Sequence, residues 1–139
     1  MGNSDIVSLL TALVRKESDI VTLYDRVLEA VINIELKDKL LIFQQDHKRH
    51  LEILLDLINN VDVDSPVIIG QIEPDIQWAG FEFSGQREAL GKLSVKEAEI
   101  SSLYEKSLEL DVDSKSAEIL DENLEDEQQH VRFFEILNS

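Results

Sequence analysis

One hundred thirty-nine residues suffice for one domain around a single buried core. Apolar residues make up 43% and charged residues 30%, a globular mixture, and 29 acids against 13 bases leave a net charge of -16. That field repels a phosphate backbone and attracts cations, so nucleic acid is not an expected partner.

The absence of cysteine excludes disulfides, thiolate metal sites and cysteine nucleophiles. Sparse aromatics, two prolines and five glycines favour helices over a turn-rich sandwich or barrel. No apolar run reaches the roughly 18 residues of a membrane span. The first residues, MGNSDIVSLL, carry no basic stretch of a secretory signal, and Ile6 stands where a myristoylation motif needs Ser or Thr. The expectation is a soluble, cytoplasmic protein that does not engage a membrane.

Helical periodicity predicts four long elements. The first spans about 4–33, with Ser4 as its N-cap and an inner stripe of Leu10, Leu13, Glu17, Ile20, Tyr24, Val27 and Val31. The second spans about 35–60, with Leu40, Phe43, His47, His50, Leu54 and Leu57 inward. Neither Gly nor Pro separates these two, and the turn is placed near Asn33. Residues 61–85 break the pattern. They hold both prolines, three glycines, Trp78, Phe81 and Phe83, and read as a long connection packed on the helices. Within it, Val67-Ile68-Ile69 fits a short strand or an apolar plug. The third helix spans about 86–110, with Leu90, Leu93, Glu97, Ile100 and Tyr104 inward. The fourth, capped by Asp113 or Ser114, spans 114–137, with Leu120, Asn123, Glu127, His130, Phe134 and Leu137 inward.

Four amphipathic helices of this length, each about 38 Å long, make an all-α four-helix bundle occupying the whole chain, 1–139. The long middle segment can cross from end to end, so the second and third helices are free to run parallel between two helical hairpins.

The halves repeat at an offset of 80. KESDIVTLYDRVLE (16–29) and KEAEISSLYEKSLE (96–109) share seven of fourteen residues, among them Glu17/Glu97 and Tyr24/Tyr104. The same offset puts Asp46 on Asp126, His47 on Glu127 and His50 on His130. A constant offset across two helices and a long loop implies two related hairpins facing each other about a pseudo-twofold axis.

Polar residues interrupt the inner stripes at one level: Glu17, His47 with His50, Glu97, and Glu127 with His130. Residues three apart share a helix face. A buried carboxylate is costly unless it is paired or metal-bound. A lone buried histidine is commonly an ordinary core residue, but three imidazoles and three carboxylates at one level indicate a divalent metal site, most economically dinuclear. Their oxygen and nitrogen donors suit iron, manganese or zinc. Asp46 and Asp126 are placed to hold the histidine of the facing helix, Asp46 with His130 and Asp126 with His50. Tyr24 and Tyr104 can hydrogen-bond a metal-bound carboxylate, although core packing with a polar tip is an equal reading.

One Glu from each of two helices, with Glu-x-x-His on the others, resembles the di-iron signature of ferritin-like and rubrerythrin-like bundles. The resemblance spans nearly the whole chain. It implies two iron ions, Glu17 and Glu97 as single-helix ligands, and Glu127-Gln-Gln-His130 as the complete motif with Glu127 bridging. His47-Lys-Arg-His50 departs from it, with His47 where the family has glutamate. Two metals held asymmetrically, one metal, or a His47 that ligates in only one redox state all remain open. The cysteine-ligated rubredoxin iron of rubrerythrins has no counterpart here, so redox chemistry needs an external electron donor.

The first functional reading is an oxidoreductase of ferroxidase or peroxidase type, acting on Fe2+, O2 or peroxide. The alternatives are a non-enzymatic interaction or stress-response module with a structural or vestigial metal, and a mononuclear zinc site of His47, His50, His130 and one glutamate. Aromatics near Trp78 offer either crossover packing or a homodimer contact.

Overall fold

The computed structural model describes residues 3–61 and 72–138, and among these the regular structure is entirely α-helical. The helices are α1 (Asn3–Ala30), α2 (Ile34–Val61), α3 (Gln86–Leu108) and α4 (Ser114–Leu137). The Val67-Ile68-Ile69 segment lies outside the described residues.

Local chemistry sets most of the ends. α1 already includes Asn3, so Ser4 sits within its first turn rather than before it. α1 stops at Ala30, three residues short of the expected boundary, because Asn33 serves the next helix. Its side-chain oxygen accepts the Leu36 N–H at 2.9 Å, and its carbonyl accepts the Lys37 N–H at 3.0 Å. α3 ends two residues earlier than its periodicity suggests, at Leu108. There the Glu109 N–H turns back to the Lys106 carbonyl and the Leu110 N–H to Ser107, tightening the last turn. Of the two cap candidates for α4, Asp113 is used. It adopts an extended backbone and accepts the Ser116 N–H at 2.8 Å.

α1 packs against α2 and α3, α3 packs against α4, and α2 meets α4 more sparsely than these. Cross-helix pairs give the directions. Tyr24 meets Glu97 while Tyr104 meets Glu17, so α1 and α3 are antiparallel. His50 meets Asp126 while His130 meets Asp46, so α2 and α4 are antiparallel. Three residues join α1 to α2, a link that suits antiparallel neighbours. α2 and α3 therefore run in the same direction, and the chain from 62 to 85 connects opposite ends of the bundle.

The core follows the predicted stripes. Leu10, Leu13, Ile20, Val27, Leu40, Leu54, Leu93, Ile100, Leu120 and Phe134 are all buried. Burial of this apolar area is the main favourable contribution to folding. Leu137 is the exception, being 40% exposed at the frayed end of α4.

The described part of the crossover is fastened to α1 and α3. Ile72, Trp78, Phe81 and Phe83 pack partly buried against the core. The Arg26 guanidinium lies 5.3 Å from the Trp78 ring centre, and the Lys92 ammonium lies 5.6 Å from that of Phe81. The Phe81 N–H closes a turn onto the Trp78 carbonyl at 3.1 Å, with Gly80 at a φ of 72° that glycine adopts without strain. Buried Asp19 accepts the Asp75 N–H at 2.8 Å, and the Asp75 carboxylate lies 3.3 Å from Lys16. The aromatics are thus engaged by their own chain.

Asp19→Ala removes the acceptor for the Asp75 N–H. An unmade hydrogen bond of this kind costs about 1–3 kcal/mol. Urea denaturation is expected to show a loss in that range, and proteolysis within 72–85 is expected to be faster. Unchanged stability and cleavage would show that the crossover is held by its aromatics alone.

Candidate metal centre

Each helix brings its polar residues to one level because a three-residue spacing turns both members of a pair toward the bundle axis. Glu17 comes from α1, His47 and His50 from α2, Glu97 from α3, and Glu127 and His130 from α4. All six are at most 1% exposed.

They divide into two clusters, each with four ligand atoms within 4.8 Å of one another. One contains Glu17, His47, His50 and Glu127; the other contains His47, Glu97, Glu127 and His130. His47 and Glu127, equivalent under the 80-residue offset, belong to both. Each half then adds one glutamate and one histidine: Glu17 with His50, or Glu97 with His130. His50 and His130 are separated by this division, so the three-histidine zinc set is not assembled within either cluster.

The His47 ring presents a different nitrogen to each half. Its Nδ1 lies 2.5 Å from Glu17 Oε1 and 3.2 Å from Glu127 Oε1, while its Nε2 lies 2.9 Å from Glu97 Oε1. His50 Nδ1 lies 2.9 Å from Glu17 Oε2 and 3.2 Å from Glu127 Oε1. His130 Nδ1 lies 3.0 Å from Glu97 Oε2 and 3.8 Å from Glu127 Oε2.

The outer nitrogens of both terminal histidines face carboxylates. His50 Nε2 is 2.9 Å from Asp126 Oδ2, and His130 Nε2 is 2.9 Å from Asp46 Oδ2. In a neutral imidazole, an Nε2–H donated to Asp leaves the Nδ1 lone pair facing the centre, the arrangement of metal-bound imidazoles. The tyrosines act across the bundle rather than along their own helices. The Tyr24 hydroxyl donates to Glu97 Oε2 at 2.5 Å, and the Tyr104 hydroxyl donates to Glu17 Oε2 at 2.7 Å.

Four residues have contacts here that periodicity does not reveal. Arg49 bridges the two outer carboxylates from the surface, with Nη1 3.2 Å from Asp46 and Nη2 2.6 Å from Asp126. Phe43 stacks on His130 with centroids 4.1 Å apart. Asn123 donates to the Tyr104 hydroxyl at 3.2 Å. Buried Gln44 ties α2 to α1 through the Val21 carbonyl and Asp25. The charge of Arg49 between the two histidine positions was the only available sequence signal for its clamp.

Protons and charges are strongly redistributed. Burial pushes Glu17 up, but His47 and His50 outweigh it and hold the carboxyl at about 2. Burial also opposes ionisation of Glu97, which His47 and His130 bring well below its ordinary value. Glu127 goes the other way. Burial, together with the charges of Glu17 and Glu97, overcomes the pull of His47 and raises it well above the usual carboxylate range. Burial disfavours charged His47, yet Glu127, Glu97 and Glu17 lift it well above an ordinary histidine. His130 is raised against burial by Asp46 and Glu97. Without a cation, then, the charged forms of His47 and His130 are favoured beside the Glu17 and Glu97 carboxylates, and the neutral form of Glu127 is favoured.

The donor set fits a divalent first-row metal. Oxygen and imidazole nitrogen are suitable ligands, and His47 Nε2, Glu97 Oε1, Glu127 Oε2 and His130 Nδ1 are buried without a hydrogen-bond partner. Each of the two buried clusters could hold a metal ion.

The shifts set a pH dependence for the metal-free protein. His47 and His130 are raised, so their stabilisation is complete below the unfolded value of 6.5 and is lost as pH rises through their folded values. Raised Glu127 loses its contribution in the same direction, starting from 4.5. Lowered Glu17 and Glu97 contribute above 4.5 and lose that contribution as pH falls, Glu17 toward about 2. Melting of metal-free protein is expected to be highest in weak acid and to fall from pH 6.5 to 9; a flat or rising profile there would contradict this charge assignment.

No protein-family model matches the chain, and no curated protein or solved structure matches it.

Proposed function

We propose that this chain is a ferritin-like metal protein with a dinuclear iron centre that oxidises Fe2+ or reduces O2 or peroxide. The observation that supports the reading is the pair of four-donor clusters joined through His47 and Glu127. Glu17 and His50 would hold one metal, Glu97 and His130 the other, with His47 and Glu127 between them. Bound iron would supply electrons by moving between its 2+ and 3+ states.

The protein's part is positioning and proton control. Asp46 and Asp126 orient the imidazoles of His130 and His50 through their outer nitrogens. Tyr24 and Tyr104 each hold one oxygen of a ligand carboxylate, while the other oxygen faces His47. The surrounding apolar stripes exclude bulk water, which strengthens every charge interaction in the centre. Glu127 can release its raised proton when a cation takes its place. With no cysteine in the chain, electrons for repeated turnover come from an external donor.

A second reading has its own support. Complete burial of all six side chains favours a metal that only fastens the four helices. The two readings separate on Glu127→Ala. This variant is expected to lose metal-dependent Fe2+ oxidation or peroxide reduction while its circular dichroism stays helical. Full turnover in the variant would overturn the redox proposal. Metal-dependent thermal stabilisation of the parent protein without multiple turnovers would establish the structural role.

A further inference from the structure

His47 sits where two equal halves would need a symmetric bridge, and an imidazole is not symmetric in protonation. A carboxylate can offer one oxygen to each side without giving up a proton. A neutral imidazole carries one N–H and one lone pair, so it donates on one side and ligates on the other.

Hydrogen bonding in the two halves differs in the same sense. In the Glu17 half, His47 Nδ1 and His50 Nδ1 are both in hydrogen bonds with Glu17, and His50 Nδ1 also with Glu127. In the Glu97 half, His47 Nε2, Glu97 Oε1, Glu127 Oε2 and His130 Nδ1 have no hydrogen-bond partner. His47 Nε2 lies 2.9 Å from Glu97 Oε1 and His130 Nδ1 lies 3.0 Å from Glu97 Oε2, neither with the alignment of a hydrogen bond. Four buried polar atoms left without hydrogen bonds are costly, and one cation, taking the place of protons there, would satisfy them all.

The surroundings break the symmetry too. Positions 43 and 123 are equivalent under the repeat. Phe43 stacks on His130, whereas Asn123 donates to Tyr104, which in turn holds Glu17. The Glu97 half is therefore the more apolar, and the Glu17 half has the fuller hydrogen-bond network.

We propose that the centre fills unequally: the first divalent metal is held by Glu97, Glu127, His130 and Nε2 of His47, while Nδ1–H of His47 donates to Glu17. The Glu17–His50 half fills second and more weakly, because its metal competes with the hydrogen bond between His47 and Glu17. This rests on the metal-centre reading above and assigns an order to its two halves.

The test is a Co2+ titration of the whole metal-free chain, followed by visible absorption and calorimetry, with His130→Gln and His50→Gln in parallel. The parent protein is expected to show two separate steps. Removing an outer partner of a ligand costs roughly 10–100-fold in affinity, and removing a ligand costs at least as much. His130→Gln is expected to weaken the first step by about 100-fold or more. His50→Gln is expected to abolish the second step and to change the first by less than about tenfold. Thermal melting of each variant verifies that it remains folded, and His47→Glu is expected to bring the two parent steps together. Two indistinguishable parent steps, or a first step lost in His50→Gln, would overturn the order while leaving the metal centre standing. No Co2+ binding by the parent would overturn both.

Discussion

Six ionisable side chains share one buried interior, and their charges must be neutralised there. Transferring even one carboxylate or ammonium group out of water costs several kcal/mol before any partner is found. Glu17 and Glu97 are nevertheless held below the ordinary carboxylate value, while His47, His130 and Glu127 are all pushed above theirs. Protons provide one solution to this constraint and a divalent cation provides another.

The outer contacts come in pairs. Each terminal histidine backs onto an aspartate of the facing helix, and each single-helix glutamate is gripped by a tyrosine of the other half. Arg49 joins the two aspartates at the surface, one from α2 and one from α4. Its partly exposed ion pairs add modestly to stability, but they hold both carboxylates in register with the imidazoles behind them. The repeat thus supplies a symmetric frame. His47 opposite Glu127, and Phe43 opposite Asn123, are where the frame is broken.

The inner stripes and the offset of 80 were legible because both are carried by spacing, and helical spacing translates directly into a face. Glu17, His47, His50, Glu97, Glu127 and His130 therefore come together as their positions implied. Features depending on how two helices meet were not legible. Tyr24 is two turns from Glu17 in sequence, yet it grips Glu97 because α1 and α3 are antiparallel. Asn33 looked like the end of one helix and instead starts the next, since its side chain can satisfy the Leu36 N–H. The stacking of Phe43 and the bridging by Arg49 depend on interhelical distances that periodicity does not contain. Among the described residues, no helix is long and apolar enough to cross a membrane, which agrees with the mixed charge along every helix.

The most direct test is anomalous diffraction at the iron edge from crystals of protein saturated anaerobically with Fe2+. Two interior peaks are expected, one between Glu17 and His50 and one between Glu97 and His130, with His47 and Glu127 lying between them. An interior without an anomalous scatterer, in crystals grown at saturating iron, would contradict the metal centre and leave the six residues as a proton-balanced polar core.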